Sequence, residues 1–227
     1  MSIEEVKKAF LCALPIVLGY VSIGVPCGIL SASIGLDPLQ VFILSLLFYS
    51  GAGQFMIPNM WLAGASLVPI IASVSLVNTR QMLYGASFAP YFQKANKYLS
   101  LAFAATVTDE SYGVSIEKFK EDPSWTCSQA YLVNVFSHSS WTLSNVAGVF
   151  LGHALSIPLA IAAFAMTSIF ICLLVSQKIT GANIVAVLIA MLAVFTCKSI
   201  GLTGPAILIG ALVGVMAAYL FTWMRER

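Results

Sequence analysis

Apolar runs separated by short polar breaks cover residues 10–34, 39–58, 66–92, 98–116, 127–152, 155–176, 182–198 and 203–223. Crossing a hydrocarbon core roughly 30 Å thick takes about 20 helical residues, and most of these runs are close to that length. Residues 11–34 and 155–176 contain no charge at all. The pattern predicts an all-α, polytopic membrane protein, a single transmembrane domain over residues 1–227, with eight helices. Seven is the alternative, because Asn78-Thr79-Arg80-Gln81 interrupts the third run and marks a broken or re-entrant helix.

Composition agrees with this reading. Only 9% of the 227 residues are charged and 59% are hydrophobic, whereas a soluble domain carries about 25% charged residues. Lys7 and Lys8 before the first run resemble a secretory signal, but the run is too long and further spans follow. The five cysteines, Cys12, Cys27, Cys127, Cys172 and Cys197, form no CxxC pair and read as small core residues. The net charge of +2 is spread along the chain, with no basic run suited to nucleic acid. Residues 117–124 read as a solvated connection. With eight spans and a cytoplasmic N-terminus, Lys7, Lys8, Lys118, Lys120, Lys178, Arg225 and Arg227 fall inside, and Lys94, Lys97 and Lys198 outside.

In lipid, polar side chains and helix-breaking glycines are expensive, so they point to working parts. Tyr49-Ser50-Gly51-Ala52-Gly53-Gln54 places two glycines, a hydroxyl and an amide deep in the second run. An unwound turn there would expose backbone amides at a half-helix N-terminus, a place for a carboxylate; the plainer reading is a tight packing patch. Arg80, beside Asn78, needs an anion or water: a substrate carboxylate, an acid on another span, or the membrane boundary. Asp109 and Glu110 point about 100° apart on a helix, so one faces the interior as a proton carrier or a partner for an ammonium, unless both lie at the interface. Asn134, His138, Trp141 and Asn145 make one helical stripe, polar where a lipid-facing stripe is apolar, which suggests a lined cavity.

Gly24-x3-Gly28 followed by Pro38 is faintly echoed by Gly148-x3-Gly152 followed by Pro158. Repeated halves are common in transporters; small residues at that spacing also let membrane helices pack closely.

The YSGAGQF, VNTRQMLYG and TDE segments and the W-x6-G-x3-G pattern from Trp141 to Gly152 resemble, in order, the AzlC family of branched-chain amino acid exporters. The resemblance implies export of leucine, isoleucine, valine and similar amino acids across the bacterial inner membrane, with a small separate AzlD-like membrane subunit as partner and no cofactor. Where the family has Arg-His or Arg-Tyr, this chain has Arg80-Gln81. The expected substrate-binding residues are Ser50, Gly51, Gly53, Gln54, Asn78, Arg80, Trp141 and Asn145, and the expected proton-coupling residues are Asp109, Glu110 and His138. A channel-like pore or a noncatalytic subunit for another solute would use similar features. An intramembrane enzyme is disfavoured: GxSxG, HExxH and paired intramembrane aspartates are all absent from the sequence.

Overall fold

The computed structural model describes residues 2–155, 159–175, 179–202 and 206–225, with residues 163, 166, 169, 170, 172, 173, 207 and 208 described by backbone alone. The described residues form helices and connections only: α1 (Ile3–Ser33), α2 (Pro38–Leu47), α3 (Gly51–Leu62), α4 (Leu67–Ser87), α5 (Ala89–Phe92), α6 (Lys97–Thr106), α7 (Asp109–Glu121), α8 (Cys127–Ala154), α9 (Leu159–Val175), α10 (Gly181–Ser199) and α11 (Ala206–Arg225). Among them, α1 and α10 are long and apolar enough to cross a membrane, and α2 and residues 209–225 of α11 are shorter apolar helices.

The centre is a parallel pair, α1 and α8. Phe10 meets Phe136, Ser140 Oγ donates to the Val17 carbonyl and Ser144 Oγ to that of Tyr20, and Gly28 faces Gly148. Contact advances along both helices in the same direction. The glycines are what allow this approach. A Cβ on Gly28 would lie 1.9 Å from the Asn145 carbonyl oxygen, and one on Gly148 would lie 2.2 Å from that of Val25. The Gly24–Gly28 and Gly148–Gly152 segments are therefore the two halves of one helix crossing.

The second and fourth apolar runs, expected to cross, instead fold back as hairpins. α2 and α3 are separated by Phe48–Ser50. Ser45 Oγ donates to Gln54 Oε1 at 3.1 Å, although nine residues of straight helix would rise about 13 Å. α6 and α7 are separated by Val107 and Thr108, and Phe92 packs on Phe103 (ring centroids 4.5 Å apart) and on Phe119 (6.1 Å). Those two rings would stand about 24 Å apart on a continuous helix.

The hairpins enter from opposite ends. Lys8, at the start of α1, pairs with Asp122 at the end of α7, and Lys94, Leu99, Phe119 and Asp122 line one cleft, so both limbs of α6–α7 open where α1 begins. α4 starts at the far end and runs back: Asn78 is bonded to Ser50, Tyr84 to Asp109, and Phe88 packs on Phe119. The α2–α3 limbs consequently open where α1 ends. Gly35 makes the turn out of α1, with φ 87° and its N–H bonded to the Ala32 carbonyl at 2.9 Å.

Two expectations change as a result. α4 passes through Asn78–Gln81 unbroken and ends only at Phe88, so the breaks that turn the chain back within a run lie in the second and fourth runs. Lys94 and Lys97 join Lys7, Lys8, Lys118 and Lys120 at one end, while residues 2–155 place no lysine or arginine at the other. Residues 117–121, expected as loop, are the last turns of α7. Of the cysteines, Cys27 and Cys197 are buried and Cys12 and Cys127 half-buried; the side chain of Cys172 lies outside the described residues, as do Pro158, Lys178 and Arg227.

The last helices stand apart in character: α10 and α11 pack on each other through Gly210, where an added Cβ would meet Val194 at 2.4 Å, and Gly214, where it would meet the Ala186 oxygen at 2.7 Å.

Candidate functional site

Both hairpin tips lie midway along α8 and α4, and each tip begins a helix. Ser50 caps α3, accepting the Gly53 N–H at 3.1 Å, and Thr108 caps α7 in a capping box with Ser111. A helix N-terminus leaves unpaired N–H groups and a partial positive charge. The two tips dress that charge differently: α3 opens with Gly51 and Ala52, both half-exposed, whereas α7 opens with Asp109 and Glu110.

The α2–α3 tip is fixed by its own side chains. Gln54, 1% exposed, uses its Oε1 to accept from Ser45 Oγ and from Trp141 Nε1 (3.0 Å), and its Nε2 donates to the Phe48 carbonyl. Gly53 has no room for a side chain, since a Cβ would lie 2.8 Å from Phe48 and from Ser50 Oγ, and Gly51 faces the Trp141 ring. His138 Nε2 donates to the Ser45 carbonyl, 2.9 Å away, and its ring stacks on Tyr49 at 4.2 Å.

α4 holds both tips at once. Ser50 Oγ donates to Asn78 Oδ1 at 2.6 Å, and Gln81 Nε2 donates to the Tyr49 carbonyl at 3.2 Å. In the same turn Arg80 pairs with Asp109 at 2.9 Å, and one turn on the Tyr84 hydroxyl donates to the same carboxylate. The unwound Tyr49 carbonyl thus has a partner that buried backbone requires, and Gln81 provides it. From α1, the Tyr20 hydroxyl lies 2.6 Å from Glu110 Oε2 and 2.8 Å from Thr108 Oγ1.

The expected residues therefore sort into two kinds. Gly51, Asn78, Arg80, Asp109, Glu110 and His138 are partly exposed around the tips; Ser50, Gly53, Gln54 and Trp141 are buried supports beneath them. Asn145 lies elsewhere, sealed in the α1–α8 crossing at 0% exposure with its Nδ2 donating to the Trp141 carbonyl. Asn134, also fully buried, donates to the Phe103 carbonyl and Thr106 Oγ1, joining α8 to α6. The polar stripe on α8 is thus mostly interhelical adhesive. Sequence reasoning missed Tyr20, whose signal was a phenol amid an uncharged run. Beside the stacked His138, a cleft of about 210 Å³ is lined by Phe42, Leu46, His138, Ser139, Thr142 and Leu143. No cluster of His, Cys, Asp and Glu suited to a metal occurs among the described residues.

Residues 15–155 match the family described as AzlC protein, a stretch that contains α8, α4 and both hairpins. The inner membrane protein YgaZ of Escherichia coli is 30% identical over 214 residues, covering 91% of this chain and 86% of the relative. An uncharacterized membrane protein of Helicobacter pylori is 29% identical over 96% of both chains. The branched-chain amino acid transport protein AzlC of Bacillus subtilis is 24% identical over 75% of this chain and 67% of its own length. No solved structure matches. The chain belongs to the AzlC family, and it is a multi-pass protein of the bacterial cell membrane.

Proposed function

We propose that this chain is the translocating subunit of a secondary-active exporter of branched-chain amino acids, driven by protons and working with a small AzlD-like membrane subunit. The observation that carries the reading is the meeting of two opposed hairpin tips of unlike charge: the amides of Gly51 and Ala52 on one side, Asp109 and Glu110 on the other, with Arg80 between. An amino acid offers the complementary ends. Its carboxylate suits the α3 N-terminus and Arg80, its ammonium suits the α7 carboxylates, and the cleft at Phe42 and Leu46 beside His138 takes the aliphatic side chain.

The proposed membrane arrangement has α1, α4, α8, α9, α10 and α11 crossing and two re-entrant hairpins, with the lysine-rich end cytoplasmic. α1 with its hairpin and α4 with its hairpin are then inverted units, an arrangement that places a site at mid-membrane. Asp109 is committed to a fixed cation, so Glu110, held by a phenol and a threonine, is the carboxylate whose proton turns over; His138 lies behind Tyr49 at the other tip.

The test is efflux of labelled leucine from preloaded cells expressing the chain with and without the small subunit, with and without an uncoupler. Efflux that needs both chains and stops with the uncoupler is expected; efflux that persists unchanged in uncoupled cells and does not saturate would instead indicate a passive pore.

A further inference from the structure

The two carboxylates at the α7 tip differ in their partners, and the difference turns on α1. Asp109 is ion-paired with Arg80, whereas Glu110 has no cation partner among the described residues. It accepts the hydroxyl of Tyr20, a side chain 5% exposed, whose ring lies edge-on to Tyr49 of the opposite tip (centroids 6.3 Å). The Tyr49 hydroxyl, on a residue 8% exposed, is turned toward Tyr20 and Thr108 but lacks a well-formed hydrogen bond to either.

We propose that Tyr20 is a positioning residue that communicates the protonation of Glu110 to the α2–α3 tip. The proposal rests on Glu110 being the coupling carboxylate. A phenol has one proton to donate. While Glu110 is ionised, Tyr20 gives that proton to the carboxylate and Tyr49 goes without. When Glu110 takes up a proton, its new O–H donates to the Tyr20 oxygen, and the Tyr20 O–H turns to the Tyr49 oxygen. One proton enters, at Glu110, and the others only reorient. Tyr49 is well placed to transmit the change, since its carbonyl is held by Gln81 and its ring is stacked on His138. The titratable and charged groups facing Glu110 are Tyr20 on α1, Arg80 and Tyr84 on α4, Asp109 on α7 and Tyr49 at the opposite tip, with His138 of α8 behind it.

The experiment is an infrared pH titration of the protonated-carboxyl band of the purified full chain, with Glu110→Gln identifying the band, paired with leucine efflux at matched membrane levels. Tyr20→Phe removes a charge-assisted bond from the ionised form and only a weaker neutral bond from the protonated one, so the Glu110 midpoint is expected to rise by about one pH unit. Tyr49→Phe is expected to leave the midpoint within a few tenths of a unit of wild type while lowering efflux several-fold. A Tyr20→Phe midpoint equal to wild type, a band that Glu110→Gln leaves in place, or Tyr49→Phe efflux at the wild-type rate would each overturn the proposal. If Tyr20→Phe fails to accumulate, the Tyr49→Phe results decide. If wild type moves no leucine, the transport reading fails while the Tyr20→Phe titration still tests the bond between Tyr20 and Glu110.

Discussion

Arg80 and Asp109 show what one ion pair asks of a membrane protein. Each is about a third exposed in its side chain, and removing either leaves the other charge in a place where solvation is poor. Asp109→Asn is expected to reduce leucine efflux at least tenfold and to destabilise the chain by roughly 1–3 kcal/mol, read as thermal unfolding in detergent. The double variant Arg80→Met/Asp109→Leu should regain stability relative to that single variant while remaining inactive. Outside the membrane, the Lys8 ammonium, then the Ser124 hydroxyl and N–H, hold the Asp122 carboxyl at about 2, below its usual 3.8. A lowered folded-state value means that this tie contributes above the ordinary carboxylate range and is lost as pH falls through about 2. Lys8→Met should return Asp122 toward 3.8, a change measurable by carbon-13 NMR of labelled aspartate carboxyls.

The helices were legible from the spacing of apolar residues, and the unwound turn at residues 48–50 from the glycines after it. The hairpins were not. In α2–α3, two half-helices of about ten mostly apolar residues, one going in and one coming out, have the same hydropathy as one full crossing, and Phe48 to Ser50 carries no turn signal that distinguishes a bend from a reversal. α4 was misread for the opposite reason: Asn78, Arg80 and Gln81 spend their polar groups on neighbouring elements, so a polar run need not break its own helix. The α1–α8 crossing supplies a prediction at this scale. Gly28→Ala and Gly148→Ala must push backbone apart and should lower the thermal midpoint by several degrees, whereas Gly19→Ala, with nothing within 4 Å of its added Cβ, should not.

For the whole molecule, the hairpins reassign the ends. Lys94 and Lys97 share an end with Lys8 because α6–α7 returns to the side it came from, which gathers the lysines of residues 2–155 together. Cysteines placed at Lys94 and Lys120 should react with an impermeant maleimide only from the cytoplasmic side, and one at Asp37 only from outside; labelling of Lys94 and Lys120 from opposite sides would restore a full crossing for α6–α7. The candidate site was legible as residue types, a glycine-rich break, an arginine and paired acids, but its electrostatic division was not, since only the fold sets the α3 N-terminus opposite the α7 carboxylates. In the proposed mechanism a zwitterion is held between tips of unlike charge. The most direct measurement of this is competition against labelled leucine efflux by unlabelled leucine, by 4-methylpentanoate, which lacks the ammonium, and by 3-methylbutylamine, which lacks the carboxylate. Leucine alone should compete well; analogues with a single charge that compete as well as leucine would contradict the account.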